Sequence, residues 1–160
     1  MSIDRVREYM KPFGLDGKIL EFETSSATVE LAARAAGVIP ARIAKSLSFM
    51  LPDGPALIVA AGDAKVDNPR FKAQFHTKAR MLTREEVSSL IGHDVGGVCP
   101  FAIQPGARTW LDVSLRRFDT VFPACGSANS AIELTCGQLE AAAQNFQGWV
   151  DVCKAWREGE

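Results

Sequence analysis

Two apolar runs, IAKSLSFML at 43–51 and ALIVAAG at 56–62, are separated only by PDG and a second proline. Runs of this length, rich in Ile, Leu and Val and bounded by Pro and Gly, read as strands. The second is apolar throughout, as a strand buried on both faces would be. A chain with such a pair must build a sheet there and cover it. KILEFE (18–23) alternates as another strand, and ARMLT, RTWLDV, TVFPAC, SAIELT and GWVDVC read as short ones. Helices are expected from Ser2 as cap to Met10, over SSATVELAARAAG with a hydroxyl cap and a Gly37 stop, and over NPRFKAQFH. TREEVSSLIG carries a capping box from Thr83 to Glu86 and a Gly92 stop, and Thr135 with Gln138 opens a last helix in the same way. Helices come singly between strands, while the late strands follow one another directly. That order predicts one α+β domain over 1–160 with a largely antiparallel or mixed, curled sheet, rather than a doubly wound parallel one.

Composition narrows the chemistry. At 160 residues the chain has the length of a single domain with a sizeable core. No run of about eighteen apolar residues occurs, and MSIDRVREYM has no apolar signal region, so a cytoplasmic location without membrane contact is expected. There is no G-x-G-x-x-G after a strand and no G-x-x-x-x-G-K-[ST]. Cys99, Cys125, Cys136 and Cys153 form no C-x-x-C pair, and His76 and His93 lack ligand spacing, so neither metal nor cofactor is expected. A net charge of −1 excludes a protein that coats nucleic acid. A local basic run, Lys65, Arg70, Lys72, Lys78, Arg80 and Arg84 against Asp67 alone, is either a solvated face or a landing strip for a few phosphates.

Lys45 is the most informative side chain. In a strand over 43–51 it shares a face with Ile43, Leu47, Phe49 and Leu51, where an ammonium is costly unless it meets an anion, opens onto a pocket or snorkels to water. Asp63 and Asp67 follow the second strand in AGDAKVD, as site residues or as turn and cap formers. VGGVCPF (95–101) is either a bend that turns N–H groups inward or a loop presenting Cys99 as a nucleophile with His93 as base. PACGSANSAIEL adds a second small-residue loop with Gly126, Ser127 and Ser130.

IAKSLSF, AGDAKVD, GGVCPF and ACGSANSAIEL stand in the order and spacing of the YbaK / prolyl-tRNA synthetase-associated editing domain family, which the chain resembles from Phe22 to Trp149. The resemblance implies a mixed, barrel-like sheet surrounded by helices, and metal-free hydrolysis of wrongly charged aminoacyl-tRNA. It implies that Lys45 holds the adenosine or phosphate end of the substrate, and that Gly96, Gly97 and Pro100 form the loop facing the aminoacyl carbonyl. Thr24, Asp63, Asp67, Val98, Cys99, Gly126 and Ser127 are the further substrate-contacting positions, with Lys65, Arg70 and Lys72 on the tRNA. Cys99 stands where serine or another small residue is common, and Ala102 where glycine is frequent. The expectation is a free-standing trans-editing hydrolase for tRNA of proline charged with Ala, Cys, Ser or Thr. It would grip the CCA end and acceptor stem, and a synthetase is a candidate partner. The competing readings are a non-hydrolytic module that binds an amino acid or tRNA, and a cysteine enzyme using Cys99.

Overall fold

The computed structural model describes residues 2–159; the two end residues of the expected 1–160 domain lie outside it. The turn at 52–53 folds β2 (Ile43–Leu51) back on β3 (Gly54–Ala61) as an antiparallel hairpin, with Lys45 opposite Ala60 and Leu51 opposite Gly54. Gly54, at φ 128°, takes a backbone geometry that a side chain would resist. β1 (Leu20–Glu21), β4 (Lys65–Val66) and β7 (Ser130–Ala131) are two-residue strands. β5 (Arg108–Asp112) pairs parallel to β3, β8 (Phe146–Val150) parallel to β5, and β6 (Phe122–Pro123) parallel to β2. The five-stranded order is therefore β6-β2-β3-β5-β8, with β1–β7 and β4–β9 (Cys153–Lys154) as separate antiparallel pairs. The sheet is mixed, and its parallel pairings come from segments far apart in the chain. β3, at its centre, is wholly buried from Leu57 to Ala61, which is why that run carries no polar residue.

Helices cover the sheet. α1 (Ser2–Met10) buries Val6 and Met10; Ser2 lies inside this helix rather than capping it. α2 (Val29–Ala36) starts at Thr28, whose hydroxyl accepts from Leu31 N, and ends at Gly37 in the left-handed conformation. α3 (Asn68–Phe75) buries Phe71, whose ring centroid lies 5.0 Å from that of Phe49 on β2. α4 (Arg84–Glu86) carries the Thr83 capping box and runs on as a π-helical turn, Val87–Ile91, to Gly92. α5 (Cys136–Ala142) opens with the Thr135–Gln138 box. Four expected strands shrink: 18–23 pairs only at Leu20–Glu21, TVFPAC only at Phe122–Pro123, SAIELT only at Ser130–Ala131 apart from a Val121–Leu134 bridge, and ARMLT contributes a single bridge, Met81 to Phe49. Among the described residues no helix is long and apolar enough to cross a membrane.

Candidate active site

A cavity of about 310 Å³ opens beside β2. Its position follows from an interrupted strand edge. β6 covers β2 only at Ile43 and Ala44, and the 80–82 segment covers it again where Met50 N donates to Arg80 O and Leu82 N to Ser48 O. Even-numbered residues of β2 thus turn their peptide groups away from β3, and between the two covered stretches Ser46 turns its N–H and C=O into the gap. Ala44, Ser46 and Ser48 line the cavity, with Ser26 to Val29 from the loop entering α2. Val95, Gly96 and Val98 line it too, with Ala124, Ser130 and Ala131.

Lys45 borders the same cavity. Its ammonium donates to the carbonyl of Gly62 at 3.3 Å and to that of Ala64, so the loop after β3 holds this half-buried side chain at the strand's end. Burial lowers its pKa from 10.5, against the opposing pull of Cys153, Asp63 and Glu30. The apolar phase of Lys45 is therefore satisfied by two main-chain oxygens at the edge of a pocket.

The two glycine-bearing loops seen in the sequence meet. Gly126 N donates to Gly97 O at 3.0 Å, and Gly97 N donates to Asp94 O at 3.0 Å to close the turn. A Cβ on Gly97 would lie 2.6 Å from Ser127 N and 2.7 Å from Gly126 C, so main chain presses on main chain. Gly96 sits at φ 102° and Gly126 at φ 91°. Ala102, in the glycine-frequent position, also takes a left-handed φ of 56°. Ser127 is used within its loop, its hydroxyl 2.7 Å from Ser130 Oγ and 2.9 Å from Asn129 Oδ1.

Cys99 lies beneath this bend rather than in the cavity. It is fully buried, and burial pushes its thiol up to about 12. His93 Nε2 is 3.5 Å from the sulfur, but that nitrogen is 2.7 Å from the carbonyl of Phe101 and must carry the proton it donates there. Burial also lowers the His93 pKa. A ring nitrogen already donating cannot take the thiol's proton, so the pair is no activated nucleophile. Pro100 is buried beside it.

Other expected positions lie outside the pocket. Asp63 makes a two-pronged ion pair with Arg117 at 2.6 and 2.9 Å, which holds its carboxyl below the usual 3.8. Asp67 caps α3, accepting from Arg70 N, and Thr24 is exposed without lining the cavity. Arg70 reaches Asp151 at 3.0 Å and Asp67 at 3.6 Å, whereas Lys65 and Lys72 are exposed. Lys72 and Lys78 flank a second hollow of about 500 Å³ by Asn68 and Pro69. Ser26, Thr28, Ser46 and Ser48 were not singled out in the sequence; the alternation of small residues at 44, 46 and 48 with large ones at 47, 49 and 51 is the signal that marks the cavity face. No group of three or more His, Cys, Asp or Glu among the described residues could hold a metal ion.

The comparisons fit this geometry. The profile described as "Aminoacyl-tRNA editing domain" matches residues 23–142. YwhH of Bacillus subtilis (strain 168), an uncharacterized protein, is 53% identical over 157 residues, spanning 98% of this chain and 99% of its own. The crystal structure of a candidate trans-editing enzyme for prolyl tRNA synthetase superposes with a TM-score of 0.85 at 28% identity, covering 96% of this chain and 97% of that one. The hypothetical protein APE2540 gives a TM-score of 0.82 at 28% identity, covering 94% and 99%. The profile takes in β2 with Lys45, the glycine bend and the loop that locks onto it, so the chain belongs to the aminoacyl-tRNA editing domain family.

Proposed function

We propose that the chain is a trans-acting hydrolase that removes a small, wrong amino acid from tRNA, with tRNA for proline as its foremost substrate. The observation that supports this reading is that Lys45, its ammonium held by the carbonyls of Gly62 and Ala64, and the glycine bend at Gly96 and Val98 border one cavity. An ammonium has three donors. Two are taken by the carbonyls of Gly62 and Ala64, and the third serves a ribose or phosphate oxygen at the CCA end. With the Gly97 N–H given to Asp94 O, the N–H groups of Gly96 and Val98, which line the cavity, are the ones that meet the ester carbonyl as charge develops on it. Water adds to that carbonyl carbon, the bond to the ribose oxygen breaks, and the water's proton ends on the departing ribose hydroxyl. Free amino acid and uncharged tRNA result. The neighbouring ribose hydroxyl of the substrate orients the water, and proximity of this kind is worth roughly 7 kcal/mol or more of barrier, so no protein base is needed.

The test is deacylation of a panel in which amino acid and tRNA are varied independently. Wild-type protein should release at least one small amino acid from tRNA of proline, and Lys45→Ala should slow this by about 10²-fold or more, as loss of a transition-state contact does. Failure of the wild type on every mischarged tRNA would refute the reading.

A further inference from the structure

The short antiparallel pair β4–β9 sets two lysines against each other. Lys65 and Lys154 are register partners, so their side chains leave the same face of the pair, roughly 4.5–5.5 Å apart at Cβ, and both are exposed. Their neighbours Val66 and Cys153 turn the other way, Cys153 into the core. Like charges directly opposite each other are destabilising, and an anion between them reverses the sign. The aspartates near this pair in sequence are already taken by arginines. Asp63 faces Arg117 at 2.6 Å, Asp67 faces Arg70 at 3.6 Å, and Asp151 faces Arg70 at 3.0 Å and Arg157 at 2.5 Å. Among the described residues neither Lys65 nor Lys154 forms an ion pair. Arg117 and Arg157 also pack on the ring of Trp156, which fixes the chain just beyond Lys154.

The pair stands beside Lys45. Ala64, whose carbonyl accepts from the Lys45 ammonium, directly precedes Lys65. After burial, the charge of Lys65 is the other influence that lowers the Lys45 pKa, so the two ammonium groups are close enough to repel. From Gly62 to Lys65 the chain spans at most about 10 Å. That is the length of about three nucleotides at roughly 3.4 Å of rise each. The family profile matches residues 23–142, so Lys154 lies past it.

We propose that Lys65 and Lys154 together clamp the phosphate backbone of the substrate tRNA, a few nucleotides from the end held at Lys45. The inference rests on the deacylase reading above for its choice of polyanion. Phosphate contacts position a nucleic acid without reading its sequence, so the clamp sets how the CCA end is presented and not which tRNA is chosen.

The test is binding of uncharged tRNA of proline by the full chain across a salt series, which needs no turnover. Lys154→Ala should weaken binding and reduce the slope of log K against log salt by about 0.7–0.9, and Lys65→Ala with Lys154→Ala by about twice that. Lys154→Arg should keep the wild-type slope. Lys11→Ala, which removes the same charge from a side chain paired with Glu8 at 2.7 Å, should leave the slope unchanged. A wild-type slope in the double variant would overturn the inference and leave the deacylase reading intact, since the lysines would then only guard a sheet edge. An equal loss from Lys11→Ala would overturn it as an effect of net charge. No salt-dependent binding by the wild type would also remove the clamp. Lysine-dependent binding by a wild type that hydrolyses no mischarged tRNA would refute the deacylase reading and keep the clamp.

Discussion

Replacing Gly97 by alanine puts a methyl carbon where the chain has no room for one. The added atom would lie 2.6 Å from Ser127 N, 2.7 Å from Gly126 C and 2.9 Å from Ser127 Cα, all main chain and unable to rotate away. Ordinary contact needs close to an ångström more, so one loop must move. The movement breaks the 3.0 Å hydrogen bond from Gly126 N to Gly97 O. Overpacking of this kind costs about 1–3 kcal/mol, and an unmade buried hydrogen bond about 1–3 kcal/mol more. Gly97→Ala should therefore destabilise by roughly 2–6 kcal/mol, which at about 2–4 °C per kcal/mol for a domain of this size lowers Tm by roughly 4–24 °C. Because Gly96 and Val98 line the cavity, deacylation should fall in parallel even at temperatures where the variant stays folded. Thermal and urea denaturation beside a deacylation assay measure both effects. Gly17→Ala, where nothing stands within 4 Å, is the control and should stay within about 0.5 kcal/mol of wild type or gain slightly. A Gly97→Ala protein with wild-type Tm and turnover would refute the claim that the two loops are locked through their main chains.

Cys99, buried with its thiol pushed up to about 12, should resist alkylation at neutral pH in the folded protein while the half-buried Cys136 reacts first, and Cys99→Ser should keep deacylation; rapid labelling of Cys99 would restore it as a nucleophile. His76 ends α3 in the left-handed conformation at φ 60° and is exposed, so His76→Gly should stabilise by up to about 1 kcal/mol, the strain relieved less glycine's greater freedom when unfolded; an unchanged or lower Tm would contradict this. Arg117 holds the Asp63 carboxyl below 3.8, so the pairing stabilises the fold above that pH and is lost as pH falls through the lowered folded value. Asp63→Asn should flatten the acid side of a Tm-against-pH curve, and a wild-type slope in that variant would deny the pairing a role. For tRNA, Lys72→Ala should reduce the salt slope of log K by about 0.7–0.9, while Arg70→Ala, already facing Asp151 and Asp67, should change it less; equal effects would argue against charge pairing at Arg70.

The parts of this fold written in local chemistry were readable before any coordinates. The hairpin of β2 and β3, a hydroxyl cap ahead of α2, the caps at Thr83 and Thr135, and the stops at Gly37 and Gly92 depend on neighbours within a few residues. The strand order was not, because β5 reaches β3, and β8 reaches β5, across long connections that no short-range pattern specifies. The site divides in the same way. The apolar phase of Lys45 marked it as unusual, and the glycines of 96, 97 and 126 marked two bends, but only the fold brings those bends into contact. Asp63 and Asp67 read equally as site or scaffold, and only the fold shows that Asp63 pairs with Arg117, far off in sequence, and that Asp67 caps α3. Ser26 was hidden by its neighbours: in SSAT any hydroxyl could cap the helix, and Thr28 does so, while Ser26 is buried beside the cavity.

The main-chain seal between Gly97 and Gly126 has a consequence for how proteins of this kind diversify. A wall positioned by peptide against peptide is insensitive to most exchanges of side chain around it, since no side chain sets its place. Changes in the cavity can then arise at other lining positions, such as Ala32 and Ala44, where one mutation enlarges a methyl. Such a scaffold can alter the lining of its cavity without rebuilding the bend.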